Sequence, residues 1–304
     1  MNIYISNRYQ LSQADEAIIN AANGVIHYYD KEITDLSQVN VLADYPERIN
    51  NFPFEFPNLK FVQVLSAGYD RLDVDKFKAE GIVLSNGRGL HSAPIAEYVL
   101  GYILATYKQF DALKDNQTKN TWHRDYNIST LMNKTLLVLG TGSIGQEIAK
   151  RATAFDLRVI GVSYSGALKP HFEECYPISK LDELLPEADI VIGALPSNPD
   201  TFHLLNLTRF NLMKDDAILI NVGRGDLINT DDLMLALKDK FQKVILDVFE
   251  KEPLASDHPL WQHDKVIVTP HISFAAQNTD DNIKKLIVDN VVAFLKDKPL
   301  INLI

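Results

Sequence analysis

Three polar side chains follow short apolar runs, and their types suit one reaction. Arg224 lies in Ile220-Asn221-Val222-Gly223-Arg224-Gly225-Asp226, and His271 comes directly after Val268-Thr269-Pro270. Between them, Leu246-Asp247-Val248-Phe249-Glu250-Lys251-Glu252-Pro253 offers several acids. A planar guanidinium can grip a carboxylate through paired hydrogen bonds. An imidazole exchanges protons near neutral pH, and a neighbouring carboxylate favours its protonated form. Hydride reduction of a ketone leaves negative charge on oxygen, so it needs both a proton donor and a clamp that holds the carbonyl in place. Taken alone, the arginine reads as a surface ion pair and the histidine as structural. Taken together they suit a reductase of small 2-oxo acids.

A hydride donor is also legible. Gly140-Thr141-Gly142-Ser143-Ile144-Gly145 follows Leu136-Leu137-Val138-Leu139 and opens a helical pattern at Ile148, Ala149, Ala152 and Phe155. In a dinucleotide fingerprint the first glycine makes the tight turn and the second admits the pyrophosphate. The third lets helix and strand pack closely, and the helix N-terminus faces the phosphates. An acid is expected about twenty residues on, to hold the ribose hydroxyls. Here the strand ends Val162-Ser163-Tyr164-Ser165-Gly166. Nothing at Ser163 repels a 2′-phosphate, and Ser163 and Ser165 could donate hydrogen bonds to one. No arginine stands there either, so the cofactor is NAD or NADP, with a slight lean to NADP. Tyr164, Leu195, Pro196 and Asp247 complete the expected dinucleotide contacts.

The elements that position these residues alternate β-branched runs with helical stretches, the pattern of parallel sheets with crossover helices. Strands are expected at Asn2–Ser6, Val39–Ala43, Phe61–Leu65 and Ile82–Ser85. A long helix follows over Ser92–Gln109, with Pro94 in its first turn. Beyond the polar stretch Lys114–Asn133 come strands at Thr135–Leu139, Arg158–Val162, Ile190–Ala194, Ala217–Val222, Val244–Val248 and Val266–Thr269. Six strands match a full dinucleotide-binding sheet. A last helix near Ala276–Leu295 is surplus to that sheet and is expected to pack back on the first domain. The fold expected is α/β with two doubly wound parallel-sheet domains. A flavodoxin-like substrate domain spans residues 1–100 with 272–304, and a Rossmann dinucleotide-binding domain spans 101–271.

Composition removes other classes of function. The 304 residues suffice for two cores, and 46 % apolar with 23 % charged residues is a globular balance. A net charge of -10 opposes nucleic-acid binding, which rests on basic surface. The single cysteine, Cys175, cannot form an internal disulfide. No apolar run approaches the roughly 18 residues of a membrane span, and the polar start is no signal peptide. A cytoplasmic protein is expected, with no membrane partner and no metal. Asp70, Asp73 and Asp75 read as caps of the helix through Phe77. Trp122 reads as a packing residue with exposed neighbours, and Glu97 as a carboxylate satisfied within an apolar helix.

Along nearly its whole length the chain resembles the D-isomer-specific 2-hydroxyacid dehydrogenase family. The motifs that carry the resemblance are Gly140–Gly145, Asn221-Val222-Gly223-Arg224-Gly225, Asp247-Val248-Phe249-Glu250-Lys251-Glu252-Pro253 and Thr269-Pro270-His271, in that order. The resemblance implies that Arg224 binds the substrate carboxylate and carbonyl, and that His271 is the acid/base. It makes Glu252, rather than Glu250, the partner of His271. It implies further carboxylate binding by backbone amides of Ala67 and Gly68 in Ser66-Ala67-Gly68-Tyr69. It also implies a homodimer, with Ser92–Gln109 as a dimer element. The stretch from Asn86 to Tyr98 is similar to the hydroxypyruvate/glyoxylate reductase branch. Ser163 departs from the family's usual acid, and the short segment after the last helix leaves no room for a serine-responsive regulatory domain. Two rivals are a non-enzymatic dinucleotide sensor of the same fold and a methyltransferase reading the glycine loop for another cofactor. The second is weakened by the absent acid at Ser163.

Overall fold

The computed structural model describes residues 1–44, 55–69, 72–277 and 279–304. Asp70 lies outside the described residues. The chain forms two compact units, Met1–His91 with Ala276–Ile304, and Ser92–Ala275.

The first unit is built on strands β1 (Asn2–Ser6), β2 (Val25–Tyr29), β3 (Val41–Ala43), β4 (Phe61–Gln63) and β5 (Val83–Ser85). They pair in parallel in the order β2-β1-β3-β4-β5, which is the flavodoxin-like arrangement. One face of β1 carries Ile3 and Ile5, fully buried with Phe61 against Ile283, Ile287, Val288 and Val291 of the helix Thr279–Leu295. The other face packs Leu42, Val62 and Leu84 around Phe77. Asn290 sits in that last helix's apolar stripe yet is fully buried. Its amide bonds Gln63 Oε1 at 2.6 Å, Ser85 Oγ at 3.0 Å and Ile301 O at 2.9 Å, and its carbonyl accepts the Ile301 amide. Full satisfaction makes a buried amide tolerable. The helix Val74–Ala79 starts at Asp73, whose carboxylate accepts the Lys76 amide.

The second unit holds β6 (Thr135–Leu139), β7 (Arg158–Ser163), β8 (Glu174–Pro177), β9 (Ile190–Gly193), β10 (Ile218–Asn221), β11 (Lys243–Leu246) and β12 (Val266–Val268). All pair in parallel, in the order β12-β11-β10-β9-β6-β7-β8. This is the Rossmann order extended by one strand. Every residue of β6 is buried, as a central parallel strand covered on both faces requires. Leu136 and Val138 meet Ile95, Val99 and Ile103 of the helix Ser92–Tyr107 and Ile148 of the helix Ser143–Ala152. Leu137 and Leu139 enter the opposite core with Leu219 and Phe210. Each such side chain contributes about 2 kcal/mol by burial.

The structure adds two strands that periodicity did not single out, β2 and β8. Both are sheet edges, and their residues are mostly only part-buried. An edge strand has one neighbour and an incomplete apolar face, so its sequence carries a weaker pattern. With β8 included, the histidine follows the seventh strand of its sheet rather than the sixth.

Asp189, just before β9, staples the start of this sheet. Its carboxylate accepts the Thr135 amide at 2.9 Å and the ammonium groups of Lys134 and Lys214 at 3.2 and 3.0 Å. Burial pushes the group up, but these three partners outweigh it and hold the carboxyl below the ordinary 3.8. A depressed carboxylate stabilises the fold above its ordinary range and loses that effect as pH falls through the depressed value. Asp189→Ala is therefore expected to cost about 2 kcal/mol at pH 7. Thermal unfolding followed by circular dichroism should show a gap in Tm from the parent that narrows below pH 4. An equal gap at pH 7 and pH 3 would contradict the assignment.

Candidate active site

The glycines of the fingerprint differ in their surroundings, as dinucleotide binding demands. Gly140, after β6, has φ of 113°, and a Cβ there would lie 2.5 Å from the Ala194 carbonyl oxygen. Gly145 lies in the helix Ser143–Ala152, where a Cβ would lie 2.0 Å from the Gly140 carbonyl oxygen. Both positions are closed by protein. Gly142, the N-cap of that helix, is the opposite: it is exposed, and a Cβ there would meet nothing within 4 Å. The open position is the one through which a pyrophosphate would approach. Thr141 is buried, and its carbonyl takes the Gln146 side-chain amide at 3.0 Å. Ser143 and Ile144 begin the helix, half-buried. The residues present fit a dinucleotide.

At the end of β7, Ser163 is half-buried while Tyr164 and Ser165 are exposed. The Ser163 hydroxyl accepts the Gly166 amide at 3.2 Å, and that of Ser165 accepts the Ala167 amide at 3.3 Å. Each keeps its own hydrogen to donate. After β9, the Leu195 backbone runs close to both Gly140 and Gly223. This brings the ends of β6, β9 and β10 together where the strand order reverses. Pro196, next in the chain, is exposed.

The glycines on either side of Arg224 also have a tertiary reason. A Cβ on Gly223 would lie 2.9 Å from the Leu195 carbonyl oxygen, and one on Gly225 would lie 1.9 Å from the Phe249 carbonyl carbon. The arginine thus rides on a strap wedged between the segments after β9 and β11. Asn221, almost wholly buried, closes the strap. Its amide donates to the Arg224 carbonyl at 2.8 Å and its carbonyl accepts the Gly223 amide at 3.2 Å. The guanidinium itself reaches the Gly223 carbonyl at 2.9 Å.

His271 Nδ1 lies 2.9 Å from Glu252 Oε2, while Glu252 Oε1 accepts the Phe249 amide at 3.1 Å. Glu250 makes no such contact with His271; it binds His203 instead. Arg224, Glu252 and His271 therefore follow β10, β11 and β12, three adjacent strands about 4.8 Å apart, at the carboxyl edge of one parallel sheet. Ligands bind at that edge in such sheets.

Asp247 holds this edge in place. It is fully buried, and its carboxylate accepts the Thr269 hydroxyl at 2.6 Å and the amides of Ile272 and Ser273 at 2.8 and 3.0 Å. Its own carbonyl accepts the His271 amide at 2.9 Å. Tyr98, in the helix Ser92–Tyr107, completes the chain of contacts, with its hydroxyl 2.5 Å from Thr269 Oγ1. These supports were not legible as such in the sequence, because they join separate segments, from 22 positions apart for Asp247 and Thr269 to 171 for Tyr98 and Thr269. In the first unit, Ala67 and Gly68 follow β4. The Ala67 carbonyl takes the Asn86 side chain at 3.0 Å, and the Gly68 carbonyl takes the Ser66 hydroxyl at 2.6 Å.

Two lesser expectations need correction. Trp122 is 87 % exposed rather than packed, with the Arg124 guanidinium 5.6 Å from its ring; the polar stretch around it supplies little apolar surface. Glu97 faces outward and pairs at 3.7 Å with Arg151. It lies on the exposed side of its helix.

Comparison with known proteins agrees with this fold. Residues 100–273 match the model of the D-isomer specific 2-hydroxyacid dehydrogenase, NAD binding domain. A glyoxylate reductase of Thermofilum pendens is 33 % identical over 249 residues, covering 79 % of this chain and 73 % of that protein. A glyoxylate/hydroxypyruvate reductase B of Escherichia fergusonii is 34 % identical over 260 residues, covering 82 % of this chain and 79 % of its own. The crystal structure of a D-isomer specific 2-hydroxyacid dehydrogenase family protein from Aeromonas salmonicida subsp. salmonicida superposes with a TM-score of 0.86 at 33 % identity. That match covers 100 % of this chain and 98 % of the other. The chain belongs to the D-isomer-specific 2-hydroxyacid dehydrogenase family. It is an oxidoreductase that uses a nicotinamide dinucleotide to interconvert 2-oxo and 2-hydroxy acids.

The contrast between Gly142 and Gly145 can be tested directly. Gly142→Ala should leave Tm nearly unchanged and weaken dinucleotide binding about tenfold in a fluorescence titration, near 1.4 kcal/mol. Gly145→Ala should instead lower Tm sharply, because the neighbour it meets is backbone. Unchanged affinity in Gly142→Ala would argue that the pyrophosphate does not approach there.

Proposed function

We propose that the chain reduces small 2-oxo acids of the glyoxylate and hydroxypyruvate class, with Arg224, Glu252 and His271 as its reactive set. The observation that carries this reading is the 2.9 Å contact between His271 Nδ1 and Glu252, on the strap next to the one bearing Arg224. The names of the relatives support the class of acid. A bound dinucleotide supplies or accepts the hydride at C2 of the acid.

Arg224 binds the substrate carboxylate and carbonyl oxygen, holding C2 in one orientation and countering the charge that grows on oxygen. Glu252 accepts the Nδ1 hydrogen of His271, which sets the ring's tautomer and leaves Nε2 to face the reacting oxygen. As the carbonyl becomes an alkoxide, His271 Nε2 gives it a proton and Glu252 stabilises the ring's charge balance. In the oxidative direction Nε2 takes the hydroxyl proton back. The amides of Ala67 and Gly68 are proposed as further donors to the substrate carboxylate. Asp247 acts by holding the His271 loop.

For the cofactor, the reading leans to NADP. Its support is the absence of an acid at the end of β7 and the two serine hydroxyls there that can still donate. Thr141, Ser143, Ile144, Tyr164, Leu195 and Pro196 are proposed to line the dinucleotide. A homodimer in the cytoplasm is proposed on family membership and the lone cysteine. Among the described residues no helix is long and apolar enough to cross a membrane.

His271→Ala is expected to lower kcat about a thousandfold while dinucleotide affinity, read by fluorescence, stays within about twofold of the parent. Glyoxylate, hydroxypyruvate and pyruvate assayed against NADPH and NADH should show the two-carbon or hydroxylated acid favoured, and NADPH favoured over NADH. Normal turnover by His271→Ala would remove the proposed acid/base. A preference for NADH would overturn the cofactor lean alone.

A further inference from the structure

The same sheet edge holds a second imidazole–carboxylate pair to which the proposed mechanism assigns no step. His203, after β9, places Nε2 2.5 Å from Glu250 Oε1. Its tautomer follows from its neighbours. Asn229 caps the helix Thr230–Ala236, with Oδ1 accepting the Asp232 amide at 3.0 Å. That bond orients the side-chain amide so that Nδ2 faces His203 Nδ1 at 3.2 Å. Nδ1 therefore accepts, and Nε2 is the nitrogen that donates to Glu250. The second Glu250 oxygen accepts the Thr230 amide at 3.0 Å.

The ring is held from other sides too. It stacks on Phe202, with centroids 3.9 Å apart and planes inclined by 22°. The His203 amide donates to the Asp226 carbonyl at 2.7 Å, and the residue takes a φ of 49°. A histidine in the left-handed region persists only where its surroundings over-determine it. Burial pushes the Glu250 carboxyl up, but the Thr230 and His203 hydrogen bonds prevail and hold it below the ordinary glutamate range.

The pair thus joins three successive strand-end segments. His203 follows β9, Asp226, Asn229 and Thr230 follow β10, and Glu250 follows β11. Glu250 is two residues before Glu252 and next to Phe249, whose amide Glu252 also binds. Asp226 is two residues after Arg224. Fixing Glu250 and Asp226 therefore fixes the two straps that carry the clamp and the histidine's partner.

We infer that His203 and Glu250 are positioning residues for the reaction, locking the β10 and β11 straps so that Glu252 meets His271 and Arg224 keeps its place. The inference rests on the reading that Glu252 and His271 form the acid/base pair. It concerns residues whose effect is carried by geometry and not by a chemical step of their own.

The test uses His203→Ala, Glu250→Gln, His203→Gln and His271→Ala in the full-length protein. Steady-state kinetics with glyoxylate, dinucleotide titrations and Tm are read for each. His203→Ala and Glu250→Gln should lower kcat ten- to a hundredfold, about the cost of a small misplacement, with dinucleotide affinity within about twofold. His203→Gln keeps a donor near the Nε2 position and should recover most of kcat. In a His271→Ala background, His203→Ala should cause no further loss, because its effect passes through that histidine. Parent-like kcat in His203→Ala or Glu250→Gln, with His271→Ala inactive, overturns this inference and leaves the proposed mechanism standing. Normal turnover in His271→Ala overturns the mechanism itself. Should His203→Ala fail to fold, the two glutamine variants decide the matter: equal loss in both, with no rescue by His203→Gln, counts against positioning.

Discussion

The buried carboxylate of Asp247 is the constraint on which the reactive edge depends. A carboxylate with no solvent exposure is costly unless its acceptor sites are filled. Here they are filled by a hydroxyl and two backbone amides, all from residues 269–273. Those donors are the turn that presents His271, so satisfying the buried charge and placing the histidine are one event. The same turn holds His271 at a φ of 51°, a conformation costing about 1 kcal/mol or more that only such anchoring sustains. Tyr98 extends the network to the helix Ser92–Tyr107, so core packing and the placement of His271 share one set of contacts.

Parallel topology explains why the site is assembled from loops. Seven parallel strands point their carboxyl ends one way, and each end must turn through a connection before its helix begins. Where neighbouring connections touch, side chains are excluded, hence glycine at 140, 223 and 225. Where they must be held apart at fixed spacing, polar side chains bridge them: Asn221 within the β10 strap, Glu252 to the β12 turn, Glu250 to His203. Gly142 alone of the fingerprint glycines opens outward. The edge is therefore closed by backbone contact at Gly140, Gly145, Gly223 and Gly225, and open at Gly142, where a dinucleotide would approach.

Electrostatics serves stability at one edge of this sheet and position at the other. The Asp189 cluster and the Glu250 pair both hold carboxylates in their charged form by direct hydrogen bonds that outweigh burial. One secures the amino ends of β6 and β10, the other the carboxyl-side straps. Exposed pairs such as Lys180–Glu183 and Lys285–Asp289 are of small energetic consequence.

Much of this was legible in the sequence. Central strands such as β6 and β10 are covered on both faces, so their unbroken apolar runs announced them. The fingerprint glycines, Arg224 and His271 were marked by residue type and order, because turns, clamps and proton transfer each demand specific chemistry; Glu252 was told from its neighbouring acids only by the family resemblance. What the chain alone did not reveal depends on partners distant in sequence. β2 and β8 are edges whose neighbour supplies the pairing and whose own residues need little burial. Asp247 was read from the sequence as a dinucleotide contact, and its burial under the turn at 269–273 appears only in the fold. His203 and Glu250 stand 47 residues apart and meet only because β9, β10 and β11 lie side by side. Local chemistry is written in residue types, whereas which carboxylate is buried, and against which donor, is decided by the sheet order.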